Sequence, residues 1–215
     1  SYKEFLEEYS FKNDEDKFEK FDKYLKYGGM PMIVNMKDNE NLILNYLSDL
    51  KEVVLKKDVI NRNKIKDVVF LDNLIKYMST VIGNLTTPNA IAEFMKKNGT
   101  NISNETVDSY LNMLENAYFI YRVPRYELKR KQLLKTQGKY YFVDNGLKNI
   151  IAGISSYDTG SSYENLIYIE LLRRGYEVYV GQYNDIEIDF IAIKPNERLY
   201  YQVARSIMDQ KVEER

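Results

Sequence analysis

Two runs of charged side chains carry most of what this sequence offers to chemistry. Between Tyr121 and Lys139 stand seven basic residues, Arg122, Arg125, Lys129, Arg130, Lys131, Lys135 and Lys139, against the single acid Glu127, a local charge of +6. Cations at that density suit the phosphate oxygens of a nucleic acid backbone, and all seven are candidates for such contacts. Between Tyr157 and Phe190 the balance reverses, with seven acids against Arg173 and Arg174. The chain has no cysteine and no histidine. That removes thiol nucleophiles, disulfide frameworks, zinc sites and imidazole bases together. Oxygen-ligand metal chemistry, carboxylates, lysines and tyrosines remain. The net charge of −1 points to neither nucleic acid nor membrane for the chain as a whole, so the distribution along it says more.

The elements that must position these groups fall into three segments, as the 215-residue length allows. There is no run of about 18 apolar residues, and Ser1-Tyr2-Lys3-Glu4 is not a signal-peptide start, so a soluble, cytoplasmic protein without membrane contact is expected. Residues 1–68 read as a helical lid or linker. It is broken at Gly28-Gly29-Met30-Pro31, where glycine entropy and the missing proline N–H forbid a continuous helix. Beyond the break, Ile43, Tyr46, Leu47, Leu50, Val53 and Val54 form an apolar stripe at helical spacing.

Residues 69–152 read as three helices and a hairpin. Leu71, Leu74, Ile75, Met78 and Ile82 line the first helix, and Thr87-Pro88 opens the second, which ends at Asn98-Gly99. The third starts at Ser103 or Asn104 and buries Val107, Tyr110, Leu111 and Leu114. Phe119 to Val123 and Tyr140 to Asp144 then flank a basic loop, as in a hairpin with a long tip. This order predicts a winged-helix domain with a basic wing. The polar side of its third helix, Asn104, Glu105, Asp108, Ser109, Asn112 and Glu115, offers no cation to DNA, so protein contact competes with duplex DNA as its partner. Residues 153–215 read as a helix capped at Ser161 to Glu164, strands at 177–180, 186–193 and 199–204, and a polar helix from Met208.

Six runs in order, from Tyr24-Leu25-Lys26-Tyr27-Gly28-Gly29-Met30-Pro31 and Lys57-Asp58-Val59-Ile60 through Tyr141-Phe142-Val143-Asp144-Asn145-Gly146-Leu147 and Tyr163-Glu164-Asn165-Leu166 to Glu187-Ile188-Asp189-Phe190 and Tyr201-Gln202-Val203-Ala204, resemble prokaryotic AAA-type ATPases with a C-terminal DUF4143 domain. The resemblance implies a P-loop core upstream of Ser1, holding ATP and Mg²⁺ and mediating self-association. This chain has no GxxxxGK[ST] loop and is expected to carry no cofactor of its own. It also implies further residues beyond Arg215 that complete the last domain. That domain is expected to be a small PD-(D/E)XK nuclease-like α/β domain, which makes the whole chain mixed α+β. The same resemblance makes Glu164, Asp189 and Gln202 the catalytic candidates, with Glu164 and Asp189 as ligands for Mg²⁺. The expected lysine position is Ala204, while strand alternation turns Lys194 and Arg205 to the other face, so no lysine completes the pattern. The expectation is a recognition or regulatory portion of an ATPase that binds DNA or a protein partner and carries a degenerate nuclease-like domain. Its rivals are a metal-dependent DNA nuclease and a non-catalytic protein-interaction module.

Overall fold

A computed structural model describes residues 2–7, 14–36, 39–129, 132–154, 158–184 and 186–204. The polar helix expected from Met208 and the position of Arg205 lie outside the described residues. Helices come first: α1 (Tyr2–Glu7), α2 (Asp14–Tyr27), α3 (Pro31–Val34) and α4 (Glu40–Val54), which runs into a π-helical segment, Leu55–Asn61. Asn39 caps α4 by accepting from the Leu42 amide. Of the expected stripe, Ile43 and Leu47 are buried and Tyr46, Leu50 and Val54 pack against the core, whereas Val53 is turned outward.

Helices α5 (Val68–Thr80), α6 (Pro88–Lys97) and α7 (Asn104–Asn116) follow. Each starts on a side-chain acceptor: Asp67 takes the Phe70 amide, Thr87 that of Ala90, and Ser103 that of Thr106. These caps satisfy amides that have no partner inside the helix and fix where each one begins. Leu71, Leu74, Ile91, Val107, Leu111 and Leu114 close a shared core.

Strands β1 (Ile120–Glu127) and β2 (Gln132–Phe142) come next, then α8 (Asn145–Ala152), α9 (Thr159–Arg173), β3 (Glu177–Tyr183), β4 (Ile186–Lys194) and β5 (Glu197–Tyr201). The long basic tip expected between Val123 and Tyr140 is thus mostly strand, with Arg125 opposite Leu134 and Glu127 opposite Gln132. Tyr126 supplies a β-favouring side chain there. The five strands form one mixed sheet in the order β2-β1-β3-β4-β5. β1 runs parallel to β3, with Arg125 beside Val180, so the sheet continues across residue 152. Asp158, three residues ahead of the expected cap, opens α9 by accepting the Gly160 and Ser161 amides. Helix α9 lies on the sheet through Tyr168, whose ring stacks on Tyr141 at 4.7 Å and meets Phe190 at 6.0 Å.

Helix α8 joins the early helices to the sheet, because the Asp144 carboxylate ahead of it gathers three amides. Oδ1 accepts from Gly146 and Leu147, and Oδ2 accepts from Gly29 at 2.8 Å. Gly28 adopts φ +81°, and a Cβ there would stand 2.0 Å from Asp144 Oδ1. Asn149, buried on α8, donates to the Leu25 and Lys26 carbonyls at the end of α2. Two of the runs singled out in the sequence, Gly28-Gly29-Met30-Pro31 and Val143-Asp144-Asn145-Gly146, are therefore two halves of one junction. Among the described residues no helix is long and apolar enough to cross a membrane.

Candidate functional site

Charge converges where β2, α9 and β4 meet. β2 carries Lys139 and Tyr141 on the side facing α9, α9 contributes Glu164, and β4 contributes Glu187 and Asp189. Lys139 is 2 % exposed. Its Nζ lies 2.8 Å from Glu164 Oε1, 2.7 Å from Glu187 Oε1 and 3.2 Å from Asp189 Oδ1. Tyr141 donates its hydroxyl to the same Glu164 oxygen at 2.5 Å. The second Asp189 oxygen accepts the Val203 amide at 2.8 Å. The other Glu164 oxygen points at Gly83, where a Cβ would sit 2.7 Å away.

Burial opposes the ammonium, yet the Glu164 carboxylate beside it, with hydrogen bonds to Glu164 and Glu187 and the field of Asp189, holds the Lys139 pKa above its ordinary value. Burial pushes the Glu164 carboxyl up, although Lys139 and Tyr141 pull it down. One ammonium thus stands at the centre of three carboxylates. The Tyr141 hydroxyl, buried beside Glu164, is driven far above its usual pKa and acts only as a hydrogen-bond donor.

The sequence placed Glu164 and Asp189 as partners, and both belong to this cluster. Gln202 does not enter it: its side chain is exposed, and it is the Val203 amide that reaches Asp189. No lysine stands at Ala204, and the ammonium that meets Glu164 and Asp189 is that of Lys139, from a strand 50 residues before Asp189. Only chain pairing could reveal this, because Lys139 looked like one more cation of a basic hairpin. The carboxylates close on an ammonium, and among the described residues no three metal-ligating side chains are arranged to hold a metal ion. The residues present do not fit Mg²⁺ while Lys139 stays in place.

The other basic candidates are scattered. Arg122 reaches back to α7, 2.9 Å from Asp108 and 3.1 Å from Glu115, and donates to Asn112 at 3.2 Å. Its guanidinium lies 5.4 Å from the centre of the Tyr140 ring. Arg125 donates to Gln137 at 2.7 Å. Lys129 is exposed at the hairpin end. Arg130 and Lys131 lie outside the described residues, as does the Lys135 side chain. The expected basic surface has thus lost Lys139 to the cluster and Arg122 to α7.

A family profile described as "Domain of unknown function (DUF8612)" matches residues 18–158. The expected family is corrected by this match: it is neither DUF4143 nor an AAA-type ATPase family. The runs that carried the resemblance are largely those that build the α2–α8 junction and the cluster. An uncharacterized protein of Haemophilus influenzae is 38% identical over 208 residues, covering 96% of this chain and 52% of its own length. The uncharacterized protein MJ1544 of Methanocaldococcus jannaschii is 27% identical over 180 residues, covering 82% of this chain and 40% of its own. The chain thus spans about half the length, or less, of these curated relatives. No solved structure matches it significantly.

Proposed function

The chain belongs to the DUF8612 family, and from that premise we propose that it is a recognition segment of a longer protein, engaging a protein partner and cleaving no nucleic acid. The observation that carries this reading is the place of Lys139, whose ammonium fills the centre of the Glu164, Glu187 and Asp189 carboxylates. A resident ammonium supplies the positive charge that a divalent ion would bring, but it has no bound water to activate.

The helix–strand–strand–strand run from α9 to β5 supports a nuclease-like ancestry for this half. Helices α5 to α7 followed by a hairpin, with Thr86 bridged to Gly138 of β2, support a winged-helix unit for the other. Its α7 exposes Asn104, Glu105, Ser109, Asn112 and Asn116 and no cation. Arg122, the cation nearest that face, is neutralised by α7 itself. This favours a polar protein surface over a phosphate backbone.

The second reading is a metal-dependent nuclease, in which Glu164 and Asp189 would hold the ion only with the Lys139 ammonium displaced from them. Cleavage assays on labelled linear, nicked and branched DNA with Mg²⁺ or Mn²⁺ separate the two. The recognition reading expects no product above background. Cleavage that vanishes in a folded Asp189→Ala variant overturns it in favour of the nuclease.

A further inference from the structure

Behind the carboxylate cluster, on the other side of Glu164, lies a separate polar cavity of about 330 Å³. Ser79 and Thr80 of α5, Gly83 and Asn84 after it, Lys148 of α8, and Ser161 and Glu164 of α9 line it. The size matches the small end of ligand sites. Lys148 is 1 % exposed. Its Nζ donates to Ser161 Oγ and to Ser162 Oγ, both at 2.8 Å, and to the Asp158 carbonyl at 3.4 Å. No carboxylate among the described residues stands within ion-pair distance of it, which is rare for a lysine buried this deeply. Burial therefore lowers its pKa to about 8, against a smaller opposing pull from Asp158.

The two serines differ. Ser162 is fully buried and donates to the Asp158 carbonyl at 2.8 Å. Ser161 is half-buried, faces the cavity, and is only loosely held by that carbonyl at 3.3 Å.

We propose that Ser161 and Lys148 form a nucleophile and base pair that takes an acyl group from a small neutral ester held in this cavity. The neutral Lys148 amine accepts the proton of Ser161 Oγ as that oxygen bonds to the ester carbonyl carbon. The tetrahedral adduct then expels the alcohol, which leaves with the proton returned from Lys148. Water attacks the acyl-serine by the same route, releasing the acid and restoring the hydroxyl. The charged groups facing the cavity besides Lys148 are Asp158 and Glu164, and two carboxylates beside one lysine disfavour an anionic substrate. At neutral pH about a tenth of Lys148 is in the free-base form, given a pKa near 8.

The test uses the full chain and a fluorophosphonate, which adds covalently to activated serines, read by intact mass and peptide mapping. The expected result is one adduct, on Ser161, forming at a rate that rises with pH through about 8. Ser161→Ala should give none, and Ser162→Ala should remain reactive. Lys148→Met should slow labelling by about 10²-fold, the lower range of a general base. p-Nitrophenyl acetate should give a burst of one equivalent in the parent and none in Ser161→Ala. No adduct on the folded protein, an adduct at another serine, or labelling of Ser161 indifferent to both pH and Lys148→Met overturns the proposal. Should Lys148→Met fail to fold, the pH profile of the parent decides alone.

Discussion

Gly146 lies so close to the Tyr27 carbonyl that a Cβ on it would stand 2.0 Å from that oxygen. The two residues are far apart in sequence, yet their approach brings the end of α2 against the start of α8 and leaves the Asp144 carboxylate room for three amides. Gly146→Ala should cost about 1–3 kcal/mol of unfolding free energy by overpacking, measured by denaturant titration. Gly160→Ala serves as the control, since its Cβ would meet only the Asp158 carboxylate, at 3.5 and 3.8 Å. Asp144→Ala should cost about 1–3 kcal/mol for each buried amide left without an acceptor. Equal stabilities for Gly146→Ala and Gly160→Ala would show that the junction yields freely.

Removing the lysine ammonium from the cluster leaves the buried Asp189 carboxylate and the half-buried carboxylates of Glu164 and Glu187 facing one another. Lys139→Ala should lose about 3–5 kcal/mol at neutral pH, the range for breaking a buried ion pair from one side. Millimolar Mn²⁺ should then raise the Tm of this variant and leave the parent unchanged, because only the variant has room for a cation among Glu164, Glu187 and Asp189. A parent stabilised as strongly by Mn²⁺ would mean that Lys139 does not hold the site closed.

The buried Lys148 gives stability a definite pH dependence. Its pKa falls from the ordinary 10.5 to about 8 in the folded protein. Between those values the unfolded chain binds the proton and the folded chain does not, so stability rises with pH across the window. Below about pH 8 the cost of burying the charge is fully present. The difference in unfolding free energy between parent and Lys148→Met should therefore shift toward the parent as pH rises from 8 to 10.5, by at most about 1.4 kcal/mol per unit. A flat difference would place the Lys148 amine in contact with solvent.

Duplex DNA offers the sharpest check on the partner. The arrangement of Arg122 and Lys139 leads us to expect no binding to a duplex at about 0.15 M salt. Binding whose log K falls against log salt with a slope of about −3.6, the value for four phosphates, would be a different outcome. Its loss in a Lys129→Glu, Arg130→Glu, Lys131→Glu variant would return the hairpin end to nucleic acid recognition.

Much of the architecture was legible because it is written locally. Thr87 and Ser103 each precede a helix they cap, and periodic apolar residues name the buried faces of α5 and α7. The register that puts Phe190 opposite Tyr201 follows from the turn at Pro195-Asn196. The hairpin tip differs from the expected loop because the charge density there masked a ladder in which Tyr126 pairs with Leu133.

The sequence by itself determined which chemistry is open to this chain. With neither cysteine nor histidine, any site must be made of carboxylates, lysines and hydroxyls, and local capping and periodicity decide the elements that carry them. Only the tertiary structure decided which lysine meets which acid. Lys139 reads as a surface cation until β2 joins α9 and β4, and Lys148 reads as a helix-surface residue until α8 is buried between α2 and α9. The physical reason is that a charge has no fixed meaning along the chain. Its pKa, its partners and its access to water are set by groups brought near it through non-local packing, which local propensity does not encode.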